Sequence, residues 1–190
     1  MEIEYQVLNE ASSALTVPKP LYKDNFRNYI IMSYIPGRNL CDVINDDGTA
    51  LNIKKKYVDM LGGWLYTFHK FFNNKNRFRI RGDAILRNFI INDKIYGLDF
   101  EESHIGKPVE DLAEICSSFL TTDPMFTDEK FYLASLFIES YIKRAEWKIE
   151  DDINQEISHA LLKKIKRRPK DKEIISKYVK QIQSKGLSNF

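Results

Sequence analysis

Cysteine, long apolar runs and internal repeats are scarce or absent in this sequence of 190 residues. Its two cysteines, Cys41 and Cys116, are far apart and share no metal-ligand spacing with a histidine, so we expect reduced core thiols rather than a disulfide framework. No apolar run approaches the roughly 20 residues of a membrane span, and Glu2 and Glu4 argue against a basic leader peptide. We therefore expect a cytoplasmic protein with no membrane partner.

Apolar and aromatic residues are plentiful, at 43% and 13% of the chain, which is enough to build a core. No linker rich in Gly, Ser or Pro divides the chain, so we expect one domain or a domain with a helical appendage. Residues 161–190 carry ten Lys/Arg against two Asp/Glu, whereas the rest carries 19 against 25. Such a basic tail could contact nucleic acid or an acidic partner; the alternative is a solvated basic face on terminal helices.

Hydrophobic periodicity predicts short strands near the front and helices behind them. An opening helix over 2–15 stops before Pro18 and Pro20, which favour extended chain. Thr127 and Asp123 are candidate helix N-caps. The predicted strands cover 21–23, 29–32, 89–91 and 94–98, the last two joined by a two-residue turn at 92–93. The later predicted helices cover 40–44, 52–72, 109–120, 128–144, 151–166 and 172–184.

Three polar side chains are delivered by one loop and one strand end. Asp83 and Asn88 lie in the segment before the predicted hairpin, and Asp99 follows it. Two carboxylates and an amide oxygen that converge form a hard-oxygen site suited to Mg²⁺ with phosphate ligands. Phosphoryl transfer needs one carboxylate to orient the attacking hydroxyl and another to hold the metal. The alternative is a hairpin with polar ends near a core.

The ordered set of Gly82-Asp83, Asn88, a hairpin and Asp99-Phe100 resembles the catalytic loop and metal-binding motif of the protein-kinase-like fold. The version with Gly before Asp resembles its atypical branches, which include the aminoglycoside phosphotransferases, lipopolysaccharide kinases, RIO kinases and the KEOPS kinase. The resemblance implies ATP and Mg as cofactors. It also implies that Asp83 is the catalytic base, Asn88 a magnesium ligand and Asp99 the principal magnesium ligand.

Segments on both sides of this set match the same resemblance. Residues 30–37 resemble the hinge, where backbone groups of Met32, Ser33 and Tyr34 would bind the adenine. The helix that ends at His69 resembles the one before the catalytic loop, and we expect a structural role for this histidine. Asp111 resembles the aspartate that braces the catalytic-loop backbone. The alternative for Asp111 is an ordinary acidic residue favoured by the helix dipole.

The sequence also departs from the resemblance, because it contains no Gly-rich loop and no Val-Ala-x-Lys strand before the first helix. Glu4 stands where the resembled fold has a glutamate that pairs with the lysine of the Val-Ala-x-Lys strand. That lysine is missing here, and Lys19 or Lys23 could substitute for it. Arg81 stands where the family usually has histidine and could itself reach phosphate. Eleven residues separate Asp99 from Asp111, too few for a long activation loop, which favours a small-molecule or specialised substrate.

Together these features predict an α+β protein with a reduced protein-kinase-like fold. Residues 1–37 would form a small β remnant of the N-lobe with the hinge, and residues 38–190 a mostly helical C-lobe with basic terminal helices. The predicted function is an atypical kinase-like phosphotransferase that uses ATP and Mg on an unidentified substrate. Its alternative is an inactive pseudokinase, a module that binds a partner protein or nucleic acid. A further alternative places the missing strands upstream of Met1. The incomplete N-lobe leaves apolar surface uncovered, so we expect a homo-oligomer or a partner protein.

Overall fold

The computed structural model describes residues 1–187, and over this range the chain is mixed α+β. The helices are α1 (Glu2–Ala11), α2 (Leu40–Asn45), α3 (Leu51–Phe71), α4 (Pro108–Thr121), α5 (Asp128–Ile142), α6 (Ile153–Arg167) and α7 (Lys172–Lys185). The strands are β1 (Pro20–Asp24), β2 (Tyr29–Met32), β3 (Arg38–Asn39), β4 (Phe78–Ile80), β5 (Phe89–Ile91), β6 (Ile95–Gly97) and β7 (His104–Gly106). The predicted helices are confirmed, with ends that differ by up to two residues, apart from the opening one, which stops at Ala11.

The front of the molecule is one helix packed on a two-stranded antiparallel hairpin. Helix α1 buries Val7, Leu8 and Ala11, the residues whose spacing predicted it. Strands β1 and β2 pair from Pro20 opposite Met32, as the sequence predicted for two short strands here. Met32 at the end of β2 packs against the core, and the expected hinge that follows is held by the Asn92 side-chain amide, which donates to the Pro36 carbonyl at 3.0 Å.

Two small sheets position the polar residues of interest. Strands β3, β5 and β6 form one antiparallel sheet, and β4 pairs with β7 in the other. The predicted two-residue turn between β5 and β6 is wrong, because pairing ends at Ile91 and Ile95 and three residues connect them. Asn92 closes this wider turn, with its side-chain oxygen accepting from the backbone N–H of Lys94 at 3.0 Å.

The helices behind the sheets pack as neighbours, α3 against α5 and α4 against α6, with α7 on α6. Thr127 caps α5 by accepting from the backbone N–H of Lys130, as predicted. Asp123 caps no helix in the described range, since it lies in the loop between α4 and α5 and precedes a cis proline. Asp152 caps α6 instead, accepting from the backbone N–H of Asn154 at 2.9 Å.

One buried apolar cluster runs through all of these helices, from Val7 in α1 to Ile182 in α7. Cys41 and Cys116 are buried in it as free thiols, as expected. The division into residues 1–37 and 38–190 stays a prediction, and the last three residues of the second range lie outside those described. No helix among residues 1–187 combines the length and the apolar character needed to cross a bilayer.

Candidate active site

The loop that carries Asp83 is held by a buried carboxylate at the start of α4. Asp111 accepts the backbone N–H of Arg81 at 2.8 Å and that of Gly82 at 3.2 Å. Behind it, His69 lies 3.0 Å from Asp111 through Nε2 and 2.7 Å from the Tyr141 hydroxyl through Nδ1. The expected brace of the loop by Asp111 is therefore confirmed. The fully buried His69 supports this brace, which is a structural role.

The backbone at Gly82 turns sharply before Asp83. Its φ of +80° lies in the left-handed region, and a Cβ there would stand 2.3 Å from the carbonyl oxygen of Glu102. Glycine is required because a side chain would collide with backbone. The chain then closes a tight turn, since Ile85 N–H donates to the Asp83 carbonyl and Asn88 N–H to the Ile85 carbonyl, both at 3.0 Å.

The structure brings Asp83 and Asn88 into direct contact. The side-chain amide of Asn88 donates to the Asp83 carboxylate at 3.1 Å and to its backbone carbonyl at 3.0 Å. The Asn88 carbonyl in turn accepts the backbone N–H of Leu98 at 2.9 Å, which joins the loop to the end of the β5–β6 hairpin. Within residues 1–187 the side-chain oxygen of Asn88 accepts no hydrogen bond, so it is free to ligate a cation.

Asp99 stands beyond β6 with its carboxylate exposed. Its φ of +60° is left-handed, a conformation that aspartate adopts more readily than most residues. The next residue, Phe100, is fully buried and stacks on Phe68 with ring centroids 5.8 Å apart. Buried Phe100 thus anchors Asp99, whose carboxylate makes no ion pair or hydrogen bond with any other described residue.

Arg81 is enclosed by aromatic rings instead of facing a ligand. It is fully buried, and its guanidinium carbon lies 4.5 Å from the ring centroid of Phe89, 4.7 Å from Phe100 and 5.3 Å from Trp64. Burial lowers the pKa of Arg81 to about 10, against the opposing pull of nearby aspartates. The expectation that Arg81 reaches phosphate is therefore wrong, because a fully buried guanidinium cannot meet a ligand in solvent.

The polar atoms of Arg81 serve the chain itself. Its Nη2 donates to the backbone carbonyls of Leu98 at 2.5 Å and Asp99 at 3.2 Å. Its Nε and Nη1 have no hydrogen-bond partner among the described residues and face aromatic surface, where cation–π attraction offsets part of the desolvation cost. Arg81 therefore fixes the backbone from which the Asp99 carboxylate projects.

Glu4 reaches the same region from α1. Burial and the negative charge of Asp99 raise its pKa, while a hydrogen bond from the Phe100 backbone N–H opposes the rise. Glu4 forms no ion pair with a described lysine. Lys23 pairs with Glu2 instead and lies over the ring of Tyr5 at 5.1 Å, so the suggested replacement of the missing lysine is not seen.

The expected hinge offers fewer free backbone groups than the sequence suggested. Met32 pairs with Pro20 at the end of the β1–β2 hairpin. The Ser33 N–H donates to the carbonyl of Lys19 at 2.9 Å, so the one backbone group of Ser33 left for a nucleotide is its carbonyl oxygen. Tyr34 is 86% exposed, and its backbone N–H and C=O make no hydrogen bond within residues 1–187.

Two oxygen donors of this region accept no hydrogen bond within residues 1–187 and are the candidate ligands for a divalent cation, the Asn88 side-chain oxygen and the Asp99 carboxylate. The described residues contain no group of three His, Cys, Asp or Glu able to hold a metal without other ligands. Mg²⁺ is commonly bound by one or two carboxylates together with substrate phosphates and water, in contrast to a complete protein cage. The donor set therefore fits magnesium that arrives with a nucleotide.

A cavity of about 240 Å³ opens beside Asp83, and sequence reasoning missed it. Its opposite wall is the basic end of α6. The lining residues are Gly82, Asp83, Ile85, Glu114, Lys163, Lys164, Arg167 and Arg168. The basic cluster was visible in the sequence, but only the packing of α6 on α4 brings it to the aspartate.

Comparisons with known proteins bear on the fold of the chain. No family model matches the chain. The sequence is similar to the EKC/KEOPS complex subunit BUD32 of Enterocytozoon bieneusi (strain H348), with 28% identity over 139 residues. That match covers 68% of this chain and 64% of BUD32, so the chain spans less than two thirds of its relative.

A solved structure supports the fold independently. A protein from Ralstonia eutropha JMP134, assigned as an aminoglycoside phosphotransferase, superposes with a TM-score of 0.69 at 14% sequence identity. The match covers 84% of this chain and 70% of that one. The chain thus has the protein-kinase-like phosphotransferase fold that the motifs predicted. Both similar proteins, the KEOPS subunit and the Ralstonia protein, come from the atypical branches that the motifs resemble.

Proposed function

We propose that this protein transfers the γ-phosphoryl group of ATP, with magnesium, to an acceptor hydroxyl. The observation that carries the proposal is the linked set of Asp83, Asn88 and Asp99. Asp83 and Asn88 are hydrogen-bonded to each other, the Asn88 backbone carbonyl accepts the N–H of Leu98, and the carboxylate of the next residue, Asp99, is left unpaired among the described residues. A carboxylate held in place next to free hard-oxygen ligands is what phosphoryl transfer asks of a protein.

Each residue has a distinct role in this proposal. Asp83, oriented by the Asn88 amide, accepts the proton of the acceptor hydroxyl. The side-chain oxygen of Asn88 and the carboxylate of Asp99 would hold magnesium, which would neutralise charge on the nucleotide phosphates. Backbone groups of Met32, Ser33 and Tyr34 line the adenine position, with the Ser33 carbonyl and the Tyr34 backbone as the groups free to bond.

We expect a partner protein or a second copy of the chain to cover the nucleotide position of this site. Leu21, Phe26 and Ile31 are exposed apolar side chains on or beside the β1–β2 hairpin, and Phe26 is 94% exposed. BUD32 is named as a complex subunit, which supports a protein partner for this chain. We propose a cytoplasmic setting because both described cysteines are free thiols.

The second candidate function is a pseudokinase that binds partners or nucleic acid without catalysis. One observation favours it: Glu4 lacks a lysine partner and faces the negative charge of Asp99. In this case the positive charge expected around the nucleotide phosphates would be missing.

Thermal unfolding with ATP and Mg²⁺ separates the two candidates. A ligand that binds only the folded state stabilises it by about 2.7 kcal/mol at a hundredfold excess over Kd. We expect a magnesium-dependent rise in the unfolding midpoint that is lost in Asp99→Asn. The matched control is Asp93→Asn, an exposed carboxylate in the connection between β5 and β6, which should keep the shift. No shift at millimolar ATP would favour the pseudokinase.

A further inference from the structure

The cavity beside Asp83 differs in charge from the metal site next to it. Four cations of α6 and its C-cap, Lys163, Lys164, Arg167 and Arg168, face two carboxylates, Asp83 and Glu114. The wall is therefore positive by two charges even with the proposed catalytic carboxylate included. A cationic acceptor would be repelled from this cavity, whereas an anionic one would be attracted.

Two of these cations are occupied within the protein. Lys164 pairs with Glu114 at 3.0 Å, and both side chains are mostly buried. The Nη1 of Arg168 donates to the carbonyl of Thr121 at 2.8 Å, which closes the end of α4. These two bonds fix α6 against α4 and so determine the shape of the cavity wall.

The other two cations are not engaged by the protein in this way. Lys163 and Arg167 are exposed, and neither makes an ion pair or a side-chain hydrogen bond within residues 1–187. They are four residues apart in α6, so they lie on one face of the helix and can act on one ligand together. A lysine and an arginine side by side match a phosphate group, which takes a forked bond from arginine and a point charge from lysine.

We propose that the acceptor is a small molecule that already carries a phosphate group, held by Lys163 and Arg167 with its hydroxyl towards Asp83. This inference rests on the proposed function. In the transfer, the acceptor oxygen forms a bond to the γ-phosphorus and its proton passes to the Asp83 carboxylate. The bond from the γ-phosphorus to the oxygen shared with the β-phosphate breaks, and that electron pair leaves with ADP.

The cavity favours a small phosphorylated molecule over a nucleic acid. A volume of about 240 Å³ suits a compact metabolite. Proteins that bind single-stranded nucleic acid stack bases on aromatic side chains, and no aromatic residue lines this cavity. An extended nucleic-acid surface would also draw on Lys166 and Lys170, which are exposed and lie outside the cavity.

Phosphate binding to the full chain tests the inference, with backbone amide NMR shifts as the readout. Inorganic phosphate is titrated against chloride at matched ionic strength, and the Gly82, Asp83 and Ile85 signals are followed. We expect saturable shifts, with the half-saturation concentration about tenfold higher in Lys163→Ser/Arg167→Ser. The control pair Lys166→Ser/Lys170→Ser removes the same charge elsewhere and should bind as the wild type does.

Glycerol 3-phosphate and glycerol then form a matched pair, of which only the phosphorylated member should shift these amides. The absence of saturable shifts, equal weakening in both double variants, or equal shifts by glycerol would each overturn the inference. If short single-stranded RNA binds and both double variants weaken that binding equally, while no saturable phosphate site is found, the inference is overturned in favour of a nucleic-acid surface.

Binding of Mg²⁺-ATP is followed on the same samples through the backbone amide signal of Asp99. If ATP binds but no saturable phosphate site is found, this inference alone is rejected. If a phosphate site is found but ATP does not bind, the proposed function is rejected, and the acceptor role is rejected with it.

Discussion

Arg81 shows how a single residue can organise a site that it does not enter. Its guanidinium lies among Trp64, Phe89 and Phe100, and two of its three nitrogens lack hydrogen-bond partners among the described residues. Burying such a charge is costly. Two hydrogen bonds to the backbone carbonyls at 98 and 99 offset part of this cost, and they hold the segment that ends at the exposed Asp99 carboxylate.

Replacement of Arg81 by alanine should lower the free energy of unfolding by about 2–4 kcal/mol. The variant leaves two carbonyls unpaired and opens a cavity among three rings. Urea denaturation measures this loss. The matched control is Arg77→Ala, an exposed arginine in the turn before β4, which should change stability by less than about 0.5 kcal/mol. An equal small effect in both variants would contradict the packing role.

At this scale the sequence predicted contacts within the Asp83 loop better than it predicted the surroundings of Arg81. Asp83, Asn88 and Asp111 make the contacts that their order in the chain indicated. The burial of Arg81 could not be predicted from the sequence, because it depends on three rings from separate segments. These are Trp64 in α3, Phe89 in β5 and Phe100 after β6. Likewise, the occupied Ser33 N–H depends on Lys19 in a segment 14 residues away.

Among the elements, helix α4 does most to position the candidate site. Its first turn carries Asp111, which accepts two loop N–H groups and contacts His69, and Ser118 further along accepts the Leu86 N–H at 3.1 Å. One helix therefore fixes the loop on both sides of Asp83. Because that loop has only short strands around it, its order depends on α4.

Replacement of Asp111 by asparagine should therefore loosen the loop. The amide can accept through only one oxygen, so either the Arg81 or the Gly82 N–H loses its buried partner, which we expect to cost about 1–3 kcal/mol. Thermal and urea denaturation measure the change. Asp151→Asn is the matched control, since this aspartate makes an exposed pair with Lys107 that contributes at most about 1 kcal/mol. A larger loss in the control would contradict the account.

Element prediction succeeded where periodicity extends over many residues. The 21 residues of α3 and the later helices follow clear apolar spacing. Strands β3, β4 and β7 have two or three residues and were missed, because no turn in the sequence marks them as residues 92–93 mark the equally short β5 and β6. They form only through partners distant in sequence, as when β4 at residue 78 pairs with β7 at residue 106.

At the scale of the whole molecule, the terminal helices belong to the same core as the candidate site. The motifs that carry the resemblance all lie before residue 112, yet Leu161 of α6 and Ile175 of α7 are fully buried in the shared apolar cluster. Helix α6 in turn packs on α4 and brings the basic wall to Asp83. The helices after residue 150 therefore contribute to both stability and the proposed acceptor site.

Replacement of Ile175 by alanine should destabilise the whole protein by about 2–5 kcal/mol, because it leaves a cavity in the core. Unfolding should remain a single transition when followed by helix content and by tryptophan fluorescence. Ile174→Ala is the neighbouring control; this side chain is 37% exposed, so a clearly smaller loss is expected. Separate transitions for the two probes would indicate that α7 folds independently of the core.

Turnover of γ-labelled ATP by Asp83→Asn tests the central claim most directly. Asparagine can still accept a hydrogen bond but cannot take the proton of an acceptor hydroxyl or water, so we expect Mg²⁺-ATP binding close to that of the wild type with turnover lower by about a hundredfold or more. Asp93→Asn should turn over ATP as the wild type does. Turnover in Asp83→Asn equal to that of the wild type, with binding retained, would contradict the assignment of this loop as the catalytic one.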